Sequence, residues 1–364
     1  MNPFPARHRA MLASGLIALL AACSPQDDME TDDRIAPPDE GALQAAARSV
    51  LENARNRNEI DGYALEIGTA DDIYARISAG DVQSVDTQVA IASAGKPVSA
   101  AVLLNIIDED RGSLRLNRLR LDEPIARWLD GTPAGNTAAA QEVTLRHLLN
   151  HTSGLEQQPD CVESELNGST SLMACATEIL EAGTRFTPGT RFAYGAGSYH
   201  VAGAVAEAYT GQSWQSLVDE RIAAPLEVDL PYLPEDNPRI AGGILTSVAD
   251  LGTFFRALLV RDDRLMGEAD YSMLRTPQTD TNQGRLPNVT ATGYSFGLWI
   301  EDPAELAEAG TAGPELSAPG LFGAVPWLDD DRGYYAVLLL RLSNYTTGLD
   351  LMRELRTEIL ARLP

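Results

Sequence analysis

Gln88-Val-Ala-Ile-Ala-Ser93-Ala-Gly-Lys96-Pro-Val-Ser-Ala-Ala-Val102 joins an extended-looking run to a helical one, and it carries the only lysine of the chain. Of 28 lysines and arginines in 364 residues, Lys96 is the single lysine. Arginine serves as well for solubility and ion pairs, but it keeps its proton at any ordinary pH. A position that has kept lysine is one where an amine able to deprotonate is of use. With the chain extended up to Ala92 and helical from Pro97, Ser93 falls at a helix N-terminus and Lys96 one turn on, on the same face. The helix dipole there favours a developing anion on Ser93. A neutral amine at Lys96 would accept the hydroxyl proton. Bringing a lysine from about 10.4 to near 7 disfavours the ammonium by roughly 4–5 kcal/mol, which burial can supply. A serine activated in this way forms a covalent acyl intermediate. The bland alternative is a leftover of codon bias, and the rest of the chain decides between the two.

Outward from this segment, strands lie at both ends and helices in the middle. Leu43, Ala46, Ala47, Val50, Leu51 and Ala54 recur at helical spacing. Tyr63–Gly68 and Ile73–Ile77 alternate like paired strands around Asp71 and Asp72. Helical patterns follow at Val98–Glu109, Leu145–Asn150, Leu172–Glu181, Tyr199–Thr210, Trp214–Ala223 and Ser247–Val260. Strand patterns return at Tyr294–Ile300, around Leu321–Leu328 and at Tyr334–Leu342, and Leu349–Leu363 closes as an amphipathic helix. The economical arrangement is an α+β fold: one antiparallel sheet from both termini, flanked by terminal helices, with a helical region inserted. The expected domain spans 41–364, with its sheet part at about 41–92 and 290–364 and its helical part at about 93–289.

Residues 1–22 read as a secretory signal: Arg7 and Arg9, a short apolar stretch from Met11 to Leu20, then Leu20-Ala-Ala-Cys23. The last four residues resemble a bacterial lipobox, which implies cleavage before Cys23 and lipid on its sulfur. The expected location is the cell envelope, lipid-anchored; Ser24 after the cysteine favours the periplasmic face of the outer membrane. The alternative is an ordinary signal peptide cut nearby. Acidic, proline-bearing residues 23–40 read as a flexible tether. Loss of residues 1–22 removes two arginines and no acid, so the net charge moves from −24 to −26. Such a surface repels nucleic acid and excludes it as a partner. In an oxidising compartment Cys161 and Cys175 are expected to form a local disulfide, worth roughly 3 kcal/mol on the chain-entropy model.

Several ordered segments carry a resemblance. Ser93-Ala-Gly-Lys96 resembles the Ser-x-x-Lys motif of the serine β-lactamase and penicillin-binding-protein superfamily. Leu114-Arg-Leu followed by Leu121-Asp-Glu-Pro is similar to the stretch after that family's nucleophile helix. Thr144-Leu-Arg-His-Leu-Leu-Asn-His-Thr-Ser-Gly-Leu155 is close to a segment of the class C branch and its esterase and D-amino-acid peptidase relatives. Pro188-Gly-Thr-Arg-Phe-Ala-Tyr194 resembles the approach to that branch's catalytic tyrosine, and Ala241-Gly-Gly-Ile-Leu-Thr-Ser-Val-Ala-Asp250 a further family segment. The resemblance implies that Ser93 is the nucleophile, Lys96 its activating partner and Tyr194 the second general base or proton relay. It also matches Ala318-Pro-Gly320 to the family's third element, on a sheet strand, so that the Leu321 and Ser93 amides would form an oxyanion hole.

Two departures shape the expected substrate. Tyr194-Gly-Ala196 stands where the family has Tyr-x-Asn, and Ala318 stands where it has Lys or His. The first loses an amide that grips acylamino substrates; the second loses the usual holder of a substrate carboxylate. A neutral carboxylic ester or small amide fits better than a β-lactam or a D-Ala-ended cell-wall peptide, unless an arginine from elsewhere in the chain substitutes. A non-catalytic cell-wall ligand-binding relative is the alternative from another class. No cofactor or metal is expected. His147 and His151, four apart on the predicted helix, lack a third ligand nearby and read as structural, as does His200. Gly195-Ala-Gly197 lacks the third glycine and the preceding strand of a dinucleotide loop.

Overall fold

The computed structural model describes residues 40–114, 116–163, 171–281, 289, 291–301 and 315–363. The expected signal peptide, Cys23 and the tether up to residue 39 lie outside the described residues. The strands are β1 (Tyr63–Thr69), β2 (Ile73–Ala79), β3 (Val89–Ala90), β4 (Leu245–Thr246), β5 (Thr279–Asp280), β6 (Ala291–Ser295), β7 (Leu298–Glu301), β8 (Glu315–Ser317), β9 (Val325–Asp329) and β10 (Tyr334–Leu339). All but β3 and β4 form an eight-stranded antiparallel sheet in the order β2-β1-β10-β9-β8-β7-β6-β5. The N-terminal and C-terminal strands meet where β1 pairs with β10, second and third from the β2 edge, and there Leu65 opposes Leu338 and Ile67 opposes Ala336.

The period-two alternation of β1 and β10 sorts their side chains into two cores. Leu65, Ile67, Ala336 and Leu338 pack with Leu43, Leu51, Leu355 and Ile359 of the terminal helices Glu40–Asn56 and Thr346–Leu360. Ala64, Tyr335, Val337 and Leu339 face the other way, into the core shared with the helical region. The helix Val248–Leu259 lies on that second face, against β1, β9 and β10, although it falls inside the helical stretch of the sequence. Its Gly252 permits the close approach, because a Cβ there would overlap the Glu66 carboxylate. Glu66 is buried on this face, where it accepts from Tyr335 Oη and Arg76 Nε, both at 2.7 Å. Burial pushes its pKa up, and these two donors restrain the rise.

Three expectations about elements are corrected. Tyr294–Ile300 is not one strand: it splits into β6 and β7 around Phe296 and Gly297, whose φ values are 36° and 97°. Gly297 lies against the start of the helix Lys96–Arg111, where a Cβ would come within 2.8 Å of the Lys96 carbonyl. Leu321 is not in a strand either: β8 ends at Ser317, Leu321–Gly323 turns with Gly323 at φ 85°, and β9 begins at Val325. The helix expected over Leu145–Asn150 stops at Leu149, and His151, at φ 58°, lies beyond it. His147 and His151 therefore do not share a helix face.

Candidate active site

Pro97 at the start of the helix Lys96–Arg111 supplies the preset φ of a first helical turn. Before it, Ala92–Gly95 forms a tighter 3₁₀ turn that places Ser93 just outside the α-helix. Ala92, a non-glycine residue, is held at φ 46°, a conformation that costs on the order of 1–3 kcal/mol and is tolerated where the surroundings enforce it. The enforcing contacts are visible. Ile91 N donates to Ile244 O at 3.2 Å beside the β3–β4 pair, and Gly242 packs on Ala92 so closely that a Cβ would reach its carbonyl carbon at 2.6 Å. Gly320 approaches from the sheet, where any Cβ would overlap the Ile91 carbonyl oxygen.

Lys96 is 2 % exposed, whereas Ser93 keeps an open face. The Lys96 ammonium nitrogen lies 2.9 Å from Ser93 Oγ and 3.0 Å from the Ala241 carbonyl oxygen. It also sits 4.6 Å from the centroid of the Tyr194 ring. The segment Ala241–Asp250 thus serves the site through backbone, with one carbonyl for the lysine and Gly242 for the serine turn.

Tyr194 arrives on a loop pinned to the Thr144–Leu155 segment. Thr144 caps the helix Leu145–Leu149 in a reciprocal box with His147. Beyond that helix, His151 O accepts from Ala193 N at 2.8 Å and Thr152 O from Gly189 N at 2.8 Å. Ala196 N then bonds to Gln157 O at 2.7 Å, just before the helix Gly197–Thr210 begins. His151 itself is buried with its ring centroid 4.6 Å from that of Tyr194, and its Nε2 is 3.2 Å from Tyr294 Oη. Burial first, and the Lys96 charge second, hold this imidazole well below its ordinary pKa, so it is a neutral packing partner of the tyrosine. Tyr194 keeps part of its surface on the cavity, yet burial pushes its phenol well up, offset in part by its hydrogen bond with Ser93. The phenol is therefore protonated at neutral pH. His200 lies away from this cluster, with its pKa pushed down to about 4 by burial in the helix Gly197–Thr210.

These groups open onto a cavity of about 190 Å³ whose lining includes Ser93, Lys96, Tyr194, Arg239, Leu321 and Phe322. Ala196 also lines it. Ala318 is buried where its amide bonds to Pro326 O at 3.0 Å, continuing the β8–β9 pairing past the strand end. Gly320 N bonds to Ala324 O at 2.7 Å, and Leu321 follows in the turn, half exposed at the cavity, its amide without a partner among the described residues. The structure thus brings Ser93, Lys96, Tyr194, Ala196 and Leu321 to one cavity, with Ala318 and Gly320 directly behind Leu321. Cys161 and Cys175 are bonded at 2.02 Å between helices Asp160–Glu163 and Leu172–Glu181.

Sequence reasoning missed Arg239. It lies two residues before the quoted Ala241–Asp250 segment, and nothing marks it among the many arginines of the chain. Only its arrival at the cavity wall distinguishes it.

With this geometry in hand, comparison with known proteins gives a consistent picture. A family model described as Beta-lactamase matches residues 48–361. Penicillin-binding protein 4 of Amycolatopsis lactamdurans is 26% identical over 206 residues, 55% of this chain and 51% of its own length. Esterase EstB of Burkholderia gladioli is 30% identical over 223 residues, 56% of this chain and 55% of its own. The chain therefore matches about half the length of these curated relatives. Among solved structures, EstCE1, described as a hydrolase with promiscuous acyltransferase activity, superposes with a TM-score of 0.73 over 88% of this chain and 99% of its own, at 19% identity. That last likeness speaks to the fold.

Proposed function

Because the chain belongs to the beta-lactamase family, we propose that it is a serine hydrolase that acts through an acyl-Ser93 intermediate on a carboxylic ester or small amide. One observation carries the reading: a buried sole lysine 2.9 Å from the oxygen of a half-open serine, at a cavity that a tyrosine also lines. In acylation Ser93 Oγ attacks the substrate carbonyl and its proton passes to a neutral Lys96. Tyr194, protonated, gives a proton to the departing alcohol or amine and is reprotonated through Lys96. The Ser93 and Leu321 amides receive the oxyanion; each such donor typically contributes about 3–4 kcal/mol to the transition state. Deacylation repeats the steps with water as nucleophile. Ala196 and Ala318 weigh against a β-lactam or D-Ala-ended peptide as the preferred substrate, because neither offers the polar grip those substrates use.

The test is turnover on a panel of short-chain aryl esters, small amides, a chromogenic cephalosporin and a D-Ala-D-Ala peptide, with Ser93→Ala as the blank. Ester or amide hydrolysis that vanishes in the blank is expected. Turnover confined to the cephalosporin or the peptide would replace the ester reading, and no turnover on any member would favour a ligand-binding role. We also propose the lipid-anchored envelope location; radiolabelled acyl incorporation lost in Cys23→Ser would support it, and unchanged incorporation would end it.

A further inference from the structure

We infer that Arg239 is an anchor for a carboxylate carried by the substrate, so that the preferred ester or amide is a small half-acid rather than an uncharged one. This rests on the reading of the cavity as the site of acyl transfer to Ser93.

Arg239 lines the same cavity as Ser93, Lys96 and Tyr194, and no carboxylate lines it among the described residues. Its backbone is fixed: Arg239 N donates to Leu233 O at 3.1 Å, while Gly242 N and Gly243 N donate to Arg239 O at 2.9 and 2.6 Å. Its side chain is aimed by the disulfide-bearing helix. Arg239 Nε donates to Val162 O at 3.2 Å, and two residues earlier Asn237 Nδ2 donates to Cys161 O at 2.9 Å. That leaves the two terminal guanidinium nitrogens without a partner among the described residues. Such a vacancy runs against the composition, since 52 acidic residues compete for 28 basic ones. Elsewhere the arginines that approach a partner are taken up, Arg111 by Asp270, Arg146 by Asp122 and Arg275 by Asp330.

A guanidinium held by Nε presents its remaining N–H groups as a planar fork that matches a carboxylate. The cavity has little other means of holding an anion: Lys96 is committed to Ser93 Oγ and Ala241 O, and Ala318 and Ala196 carry no charge. The positive wall has moved from the sheet, where the family resemblance looks for it, to the loop before Ala241. The expectation of a neutral substrate followed from Ala196 and Ala318 together, with an arginine from elsewhere left open as a substitute, and Arg239 fills that place.

The test separates binding from turnover. In Ser93→Ala protein, calorimetry compares monomethyl esters of dicarboxylic acids with two to six carbons against the matching dimethyl esters. At least one half-acid is expected to bind about 10- to 100-fold tighter than its diester, the range for a hydrogen-bonded charged partner. Adding Arg239→Gln should erase that advantage, and Arg239→Lys should restore part of it. Equal affinity for acid and diester across the series, or an advantage that survives Arg239→Gln, overturns the anchor. Failure of unmodified Ser93 to acylate would overturn the hydrolase reading instead, without bearing on these affinities. In the active enzyme the same half-acid preference should appear in kcat/KM, mostly through KM.

Discussion

The two ends of β8 bury ionisable chemistry in opposite ways. At one end Glu315, fully buried, sits between Glu301 of β7 and Asp329 of β9, its partners across the sheet. It is sealed by Arg356 at 3.0 Å and by Tyr334 Oη at 3.0 Å, and Ser317 Oγ covers Glu301 at 2.7 Å. The other end runs through Ala318 and Gly320 to Leu321 at the Ser93 cavity, where Lys96 is matched by a hydroxyl and a carbonyl. One cluster encloses its carboxyl groups behind one arginine and two hydroxyl donors. The other leaves a serine hydroxyl open beside an amine with neutral hydrogen-bond partners. Burial alone does not separate the two; the open cavity beside Ser93 does.

The comparison breaks most readily at Lys96. Lys96→Arg puts a group that cannot lose its proton where the account needs a base, and turnover should fall by about 10³-fold or more, while circular dichroism shows the fold retained. If Lys96→Arg turns over at full rate, the lysine is no proton acceptor and the two clusters differ less than their geometry suggests. Tyr194→Phe removes the relay and should cost roughly 10²-fold in kcat, with native melting behaviour. An unchanged kcat would leave Tyr194 as an aromatic wall.

At the sealed end the expected effect is on stability. Burial, ahead of the opposing pull of Arg356, pushes Glu315 up to about 7 from its ordinary 4.5. A carboxyl whose folded pKa is raised favours the folded state below pH 4.5, and that contribution is lost as pH climbs toward 7. The loss is up to about 3 kcal/mol. In urea unfolding at pH 4.5 and 7.5, Glu315→Gln should therefore show a flatter dependence than the parent, and parallel dependences would contradict it. The smallest effect is expected at Gly320→Ala. The added methyl overlaps the Ile91 carbonyl, so the Leu321 amide must shift, and turnover should drop about tenfold with a loss of about 1–3 kcal/mol in stability. A variant that melts lower but turns over normally would remove Leu321 from the oxyanion site.

Much of this was legible in the sequence, for reasons that differ along the chain. The sheet from both termini follows from alternation in Tyr63–Gly68 and Tyr334–Leu342, and the terminal helices from apolar spacing in Leu43–Ala54 and Leu349–Leu363. Ser93 and Lys96 follow from spacing and from the scarcity of lysine. The breaks at Phe296–Gly297 and Leu321–Gly323 were hidden because both lie inside apolar runs, where a turn leaves no polar trace. Arg239 was hidden because its meaning is tertiary: it depends on Val162 O from another segment and on which acids stay away.

The most direct measurement is the intact mass of the purified protein after exposure to a fluorophosphonate, alongside Ser93→Ala. One adduct per chain that disappears in the variant is the predicted result. A folded, cooperatively melting protein that takes no adduct, or one whose adduct persists in Ser93→Ala, would contradict an activated Ser93.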